Sequence, residues 1–449
     1  MTTAISTGKR AAYPAYKPSG VPQLGDVPEH WEVRRLKYIA SINDEALPET
    51  TDPNYEFSYV DIGNVDAAKG IVATESYRFE DAPSRARRIV RDGDTIVSTV
   101  RTYLRAIAPI QGAHGRLIVS TGFAVVRPRK LDPGYLSYAL RAPFFVETVV
   151  SHSTGVSYPA INAPEIGNIC VPIPSLEEQR AIAAFLDRET ARIDALIEKK
   201  RRQIELLQEK RSALISHAVT KGLNPNAPMK DSGAEWLGRV PAHWTVGNIR
   251  RFARMKTGHT PSRTNAEYWQ DCTIPWFTLA DVWQLRDGRR KYLGETKEKI
   301  SALGLTNSAA ELLPAGTVIF SRTASIGFSG IMPVPMATSQ DFWNWICGPS
   351  LLPDYLLYLF RSMRQEFEAL LMGSTHKTIY QPIAAGITVC VPPVDEQKKI
   401  VTYVENETSR IDSLVTKVGE SIDKAAEFRT ALISAAVTGK IDVRGEVRA

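Results

Sequence analysis

Glu178-Gln179, followed by Glu189-Thr190-Ala191-Arg192-Ile193-Asp194-Ala195-Leu196, decides how the chain is organised, because the pattern is written twice. It returns as Glu396-Gln397 and Glu407-Thr408-Ser409-Arg410-Ile411-Asp412-Ser413-Leu414. Downstream, Arg211-Ser212-Ala213-Leu214-Ile215-Ser216 returns as Arg429-Thr430-Ala431-Leu432-Ile433-Ser434. Upstream, Val27-Pro28-Glu29-His30-Trp31 returns as Val240-Pro241-Ala242-His243-Trp244, and Tyr135-Leu136-Ser137-Tyr138 as Tyr355-Leu356-Leu357-Tyr358. Cys170-Val171-Pro172 matches Cys390-Val391-Pro392. So many matches in the same order, with a drift of only a few residues, mean tandem duplication of a unit of ~210 residues.

Each copy has two parts. The first carries short runs such as Thr95-Ile96-Val97-Ser98 and Val318-Ile319-Phe320, punctuated by Gly and Pro, as strands are. The second lacks proline, and its only internal glycine is Gly419. Ser175 stands at capping-box spacing from Glu178, and Gly222 supplies a glycine stop. Ile193, Ile197, Lys200, Ile204, Leu207, Arg211, Leu214 and Ala218 advance by alternating steps of four and three. Ile411, Val415, Val418, Ile422, Ala425, Arg429, Leu432 and Ala436 repeat those steps, so each stretch reads as one seam of a coiled coil. A single apolar stripe on a helix roughly 65 Å long needs a partner, and the nearest is its own copy.

The fold class expected is therefore α+β: a globule followed by a long helix, twice, the two helices forming an antiparallel coiled coil with pseudo-twofold symmetry. The expected boundaries are a flexible N-terminal arm (1–16), a first globule (17–174), a first long helix (175–220) and a linker (221–232). A second globule (233–394), a second long helix (395–438) and a C-terminal tail (439–449) complete them.

Of the 449 residues 43% are hydrophobic and 23% charged, which is globular composition. No run approaches the ~18 uncharged apolar residues of a membrane span. The N-terminal stretch lacks the apolar centre of a secretory signal. The four cysteines, Cys170, Cys272, Cys347 and Cys390, are too scattered for a disulfide framework or zinc site. A cytoplasmic location is expected. The net charge of +6 is compatible with nucleic-acid binding without demonstrating it.

Catalytic machinery is not legible. No methyltransferase Asn/Asp-Pro-Pro-Tyr/Phe string, phosphate loop or dinucleotide fingerprint occurs, so no cofactor is expected on this chain. Glu295-Thr296-Lys297 has the spacing of a nuclease carboxylate–lysine pair but lies in a charged run with no upstream Pro-Asp, and reads as surface. His114, His152, His217, His259 and His376 match no metal-ligand spacing; His30 and His243 coincide in the repeat and read as turn residues beside tryptophan. Trp31 and Trp244 read as core anchors, and Cys170 and Cys390 as buried at a shared strand position.

What the globules do carry is basic and hydroxyl residues on expected loops. The candidates for DNA contact are Arg85, Arg87, Arg88, Ser98, Thr99, Arg101 and Arg105 in the first globule. In the second they are Lys256, Arg263, Arg289, Arg290, Arg322, Thr323, Ser339 and Gln340. Lys and Arg hold phosphates, while guanidinium, hydroxyl and amide groups read base edges.

Two differing globules alternating with two similar long helices resemble the DNA specificity subunit of type I restriction–modification systems. The strings carrying the resemblance are the Val-Pro-x-His-Trp pair, Thr260-Pro261-Ser262, Ile274-Pro275-Trp276, Leu313-Pro314-Ala315-Gly316-Thr317, and above all the duplicated Glu-Gln…Glu-Thr…Arg-Ile-Asp. The resemblance implies a non-catalytic subunit whose globules each read half of a bipartite, asymmetric site in double-stranded DNA. It implies helices that set the half-site distance and dock two methyltransferase subunits for adenine N6 methylation. S-adenosylmethionine, ATP and magnesium are then expected on the partners, among them two restriction/translocase subunits. The alternatives are a subunit of a methylation-only complex, a coiled-coil protein-binding scaffold, and a solitary nuclease or methyltransferase.

Overall fold

The computed structural model describes residues 11–112, 116–155, 159–323, 326–363, 366–367 and 378–447. His114 and His376 lie outside the described residues. The chain divides into two compact units, Met1–Arg201 with Glu420–Ala449, and Arg202–Gly419. These boundaries cut across the expected ones: each unit holds one globule and a stretch of both long helices, Leu176–Lys221 and Val394–Val437.

In the first unit a four-stranded antiparallel sheet runs in the order Ile107–Pro109, Thr95–Ser98, Phe123–Pro128, Ala40–Ile42. A second sheet orders Glu75–Arg78, Glu56–Val60, Leu117–Ser120 and Ala86–Ile89, with Leu117–Ser120 parallel to Glu56–Val60. The second unit repeats the first sheet as Ser329–Ile331, Val318–Ser321, Phe342–Cys347, Ala253–Thr257. Its other sheet has three strands, Glu298–Ile300, Ile274–Phe277 and Ala337–Thr338, and no counterpart of Ala86–Ile89 is paired there among the described residues.

The joint between globule and helices is the same in both units. Gln179 and Gln397 are buried. The Gln179 amide donates to the Pro174 carbonyl at 2.9 Å and its Oε1 accepts from the Asp132 N–H at 2.9 Å. Gln397 donates to the Pro392 carbonyl at 2.8 Å and accepts from the Leu352 N–H at 2.8 Å. The Tyr135 hydroxyl lies 2.8 Å from the Pro172 carbonyl and 3.4 Å from that of Val437; Tyr355 lies 3.0 Å from the Cys390 carbonyl and 2.7 Å from that of Val219. One hydroxyl thus touches the strand leading into one long helix and the last turn of the other.

Further along, Arg429 meets Asp194 at 2.9 Å in the first unit and Arg211 meets Asp412 at 3.2 Å in the second. Start beside end, and Asp194 beside Arg429, make the two helices antiparallel within the first unit. Gly222 within reach of Glu396, with Arg211 beside Asp412, does so in the second. Of the seam residues, Ile193, Ile197, Ile411 and Leu432 are buried, while Ile204, Leu207, Leu214, Val415, Val418 and Ile422 are half-buried, because a helix pair covers only one side of each helix. Gly222 ends the first long helix at φ +77, a left-handed cap that favours glycine.

Several expectations are corrected. Residues 11–16 are built in: Tyr13 is buried and its hydroxyl donates to Glu178 Oε1 at 2.6 Å. Residues 439–447 are not a loose tail, since Val443 is buried in the first core and the Asp442 N–H bonds the Ala11 carbonyl at 2.8 Å. The expected linker contributes Met229–Asp231, which pairs with Arg239–Pro241. The cysteine match is out of register. Tyr135 and Tyr355 mark Pro172, not Cys170, as the equivalent of Cys390, so Cys390 is buried and Cys170 only half-buried. Trp31 and Trp244 are core anchors, 0% and 1% exposed.

Asp412 meets two arginines, Arg211 and Arg289, and its side chain is 22% exposed, whereas that of Asp194 is 50% exposed. Asp412→Ala removes a largely buried carboxylate that serves two arginines and should cost about 2 kcal/mol, against about 0.5 kcal/mol for the half-exposed, singly paired Asp194→Ala. Thermal unfolding of the two variants should show that order. Burial pushes the Cys347 and Cys390 thiols up to about 12. At pH 8 both should alkylate about a hundredfold more slowly in the folded chain than in urea.

Candidate nucleic-acid interface

In the second unit, the ends of Ala253–Thr257, Val318–Ser321 and Ala337–Thr338 and the start of Phe342–Cys347 bring a polar cluster together. Asp341 organises it: Oδ1 accepts from the Thr323 hydroxyl at 2.6 Å and Oδ2 from the Ser339 hydroxyl at 2.9 Å. The Thr260 hydroxyl donates to Gln340 Oε1 at 2.6 Å, which leaves the amide nitrogen of this exposed side chain as a donor. Arg322 lies 4.4 Å above the Trp343 ring, and its buried Nε has no hydrogen-bond partner. Burial holds its pKa below the usual arginine value. Gly258 permits the closure, since a Cβ there would stand 2.1 Å from the Thr338 carbonyl oxygen. Arg322, Thr323, Ser339 and Gln340 are thus brought together.

The other candidates in this unit are spent on neighbours. Lys256 pairs with Glu311 at 2.8 Å. Arg263 pairs with Glu298 at 2.6 Å and stacks 3.9 Å above Trp269. The run after Leu285 turns toward the long helices: Arg289 lies 3.5 Å from Asp412, and Lys291 pairs with Glu405 at 2.7 Å and Asp354 at 2.6 Å. Arg290 donates to Gln284 at 3.1 Å. Arg289, read in sequence as a phosphate contact, therefore serves the docking of the globule on its helices, while Arg290 is held within the globule.

In the first unit the arginine run is not a loop. Arg87 and Arg88 belong to the strand Ala86–Ile89; Arg87 lies 4.6 Å above Phe79, Arg88 is half-buried with an unpartnered Nε, and Arg85 is exposed just before the strand. Ser98 and Thr99 donate to the carbonyls of Val100 and Gly122 and so shape the turn. Arg101 and Arg105 bracket an exposed tip, Tyr103 and Leu104, from left-handed positions at φ 52 and 53. Such φ values are uncommon outside glycine and occur where surrounding structure enforces them.

Sequence reading missed Asp341, Trp343 and Gly258. The one legible signal was the unbroken polar run Thr338-Ser339-Gln340-Asp341 between two apolar stretches. His30 and His243 lie 3.1 and 2.7 Å from Glu178 and Glu396, holding the chain against each helix start. Glu295 and Lys297 are exposed. Among the described residues no group of three His, Cys, Asp or Glu side chains comes together as a metal site, and no helix is long and apolar enough to cross a membrane.

Comparison with known proteins agrees with this architecture. The profile of the type I restriction modification DNA specificity domain matches residues 28–206 and again 241–422. The chain is 24% identical to the MjaX type I restriction enzyme specificity subunit assigned in Methanocaldococcus jannaschii, over 94% of this chain and 96% of that one. It is 20% identical to the HindI specificity subunit of Haemophilus influenzae, over 93% and 98%. Among solved structures, a chain described in work on complex assembly and conformational transition of the type I R-M system aligns with TM-score 0.72 at 22% identity, covering 92% of this chain and 98% of that one. The HsdS subunit of Thermoanaerobacter tengcongensis aligns with TM-score 0.52 at 22% identity and the same coverage. With its specificity domain matched twice over most of its length, the chain belongs to the family of type I restriction–modification specificity subunits.

Proposed function

We propose that the chain is the DNA-reading, non-catalytic subunit of a type I restriction–modification complex, each globule reading one half of a bipartite, asymmetric site. The observation that carries this reading is the contrast between joint and tips. Both copies use the same tyrosine, glutamine and Arg–Asp pair where globule meets helices. Their loop ends differ: Thr99, Arg101 and Gly122 on one, Arg322, Thr323, Ser339 and Gln340 on the other. The same frame with different tips suits two different half-sites.

The polar cluster around Asp341 offers guanidinium, hydroxyl and amide groups of the kind that read base edges. The Lys256 and Arg263 ion pairs would exchange carboxylates for phosphates on binding. Two methyltransferase subunits would dock on the long helices, where Leu206 and Leu414 are about half exposed, at 50% and 49%. These partners would bind S-adenosylmethionine and methylate a flipped adenine at N6, so the reader need only position the duplex. Two further ATP- and magnesium-dependent subunits would add cleavage; without them the complex only methylates. A cytoplasmic location follows from this role.

Mapping methylated adenines across a genome with and without this chain tests the reading. Gln340→Ala should relax one half of the methylated motif, at about 1–3 kcal/mol of lost discrimination, and leave the other half intact. Inserting seven residues after Glu205 and after Asp423 keeps the heptad and lengthens each helix by about 10 Å. The unread gap in the methylated motif should then widen by roughly three base pairs at ~3.4 Å each. An active variant with an unchanged gap would show that the helices do not set the spacing.

A further inference from the structure

The same pair of arginines lines a cavity in each unit, and only one of the two cavities has carboxylates in its lining. In the second unit Arg211 and Arg361 share a cavity with Arg286, Arg289, Asp287 and Asp412. Their guanidinium donors are met by backbone: Arg211 Nη2 and Arg361 Nη1 each lie 2.9 Å from the Gly288 carbonyl, and Arg361 Nη2 lies 2.5 Å from that of Arg290. The loop Arg286–Lys291 thus fills the donor set from within the chain.

The first unit holds the equivalents, Arg429 and Arg141, without that loop. Their cavity, of about 240 Å³, is lined by Arg105, Arg141 and Arg429 with Ala67, Ala68 and Thr430, and by no carboxylate. Arg429 pairs with Asp194, whose side chain is half exposed, through Nε at 2.9 Å and Nη2 at 3.2 Å. Arg141 gives its Nε to the Ser137 carbonyl at 3.2 Å, lies 4.6 Å above Tyr138, and forms no ion pair among the described residues. Burial, and the nearby Arg429 charge, lower its pKa. The turn Asp66–Gly70 brings Ala67 and Ala68 to this lining, whereas Arg286–Lys291 brings an aspartate and carbonyls to the other.

We propose that this cavity is a binding site for a single phosphate-class oxyanion, held by Arg105, Arg141 and Arg429. Three guanidiniums against one half-exposed carboxylate call for a ligand with more than one negative charge and several acceptor oxygens, which phosphate supplies. The volume is below the ~300–1,000 Å³ of sites for drug-sized molecules, so it takes one such group and not a whole nucleotide. Two sources offer the group: free inorganic phosphate, and a phosphodiester of bound duplex.

Titration of the full chain with inorganic phosphate at low salt, followed by calorimetry and by thermal unfolding, tests the site. One saturable event is expected, with the unfolding temperature rising as phosphate is added. Thr430→Glu puts a carboxylate at the cavity and leaves the core untouched, since Thr430 is exposed. This variant should lose at least about tenfold in phosphate affinity, whereas Thr416→Glu, an exposed position away from the cavity, controls for added charge and should lose nothing. Duplex DNA that competes with phosphate identifies the phosphodiester as occupant; simultaneous binding identifies free phosphate. If phosphate does not saturate but Thr430→Glu weakens duplex binding beyond the control, the site still stands, with DNA as its source. Equal phosphate affinity in parent and Thr430→Glu overturns the proposal. So does an absence of phosphate binding together with equal duplex affinity in Thr430→Glu and the control.

Discussion

A tyrosine hydroxyl, placed between two backbone carbonyls, is the point on which each unit depends. Tyr135 and Tyr355 are fully buried. Each hydroxyl has one proton to share between a carbonyl of the strand that feeds one long helix and a last-turn carbonyl of the other. Carbonyls of a last helical turn have no intrahelical partner, and a buried one left unmet is costly. The tyrosine therefore does more than fill space. It requires the end of one helix to lie beside the approach to the other, and that requirement makes the pair antiparallel. Burial keeps the hydroxyl neutral, raising its pKa well above the usual tyrosine range, so the joint does not respond to pH in the physiological range.

Around this joint the chain handles charge by pairing it locally. Asp194 and Asp412, with Arg429 and Arg211, sit one on each helix at equivalent places. The glutamates at the helix starts, Glu178 and Glu396, take a histidine each, plus Tyr13 in one unit and the Trp244 N–H in the other. That difference explains why the Trp31 Nε1 is buried and unpartnered whereas its counterpart is bonded: Tyr13 already occupies the carboxylate oxygen. Lys256, Arg263, Arg289 and Lys291 on the second globule are paired too. DNA binding at these positions is accordingly an exchange of partners, and its net gain per contact is smaller than a count of arginines suggests.

The duplication was legible because the joint leaves a dense print in sequence. Glu-Gln and Glu-Thr place a glutamine and a threonine in buried bonds, the first tyrosine of Tyr-x-x-Tyr meets both helices' approaches, and the aspartate of Arg-Ile-Asp pairs across the helices. The long helices were legible through their apolar steps. Register was not legible at Cys170 and Cys390, since Cys-Val-Pro is a short match and only the carbonyl chosen by the tyrosine reveals that the copies are offset there by two residues. The arginine runs misled for a related reason. A run of basic residues looks the same whether its partner is a phosphate or an aspartate on a distant helix, and Asp412 and Glu405 lie more than a hundred residues beyond Arg289 and Lys291. The ordered N-terminal and C-terminal segments escaped because their anchors, Tyr13 and Val443, are single side chains in otherwise unpatterned stretches.

The separation of joint from tips also explains how one fold can hold two readouts without losing stability. At the joint the tyrosines and glutamines are buried and answered, so a change there costs the fold. At the tips, Gln340, Arg101 and Arg85 are exposed, and Arg322, Thr323 and Thr99 half-buried, so side chains can change at little cost to the core. Some tip residues are still bound to the frame. Asp341 holds Thr323 and Ser339 together, and Gly258 alone permits the approach of its loop to Thr338. Variation in what is read is therefore confined to a few side chains on a backbone whose path the frame sets, and the two copies differ most where the frame constrains least.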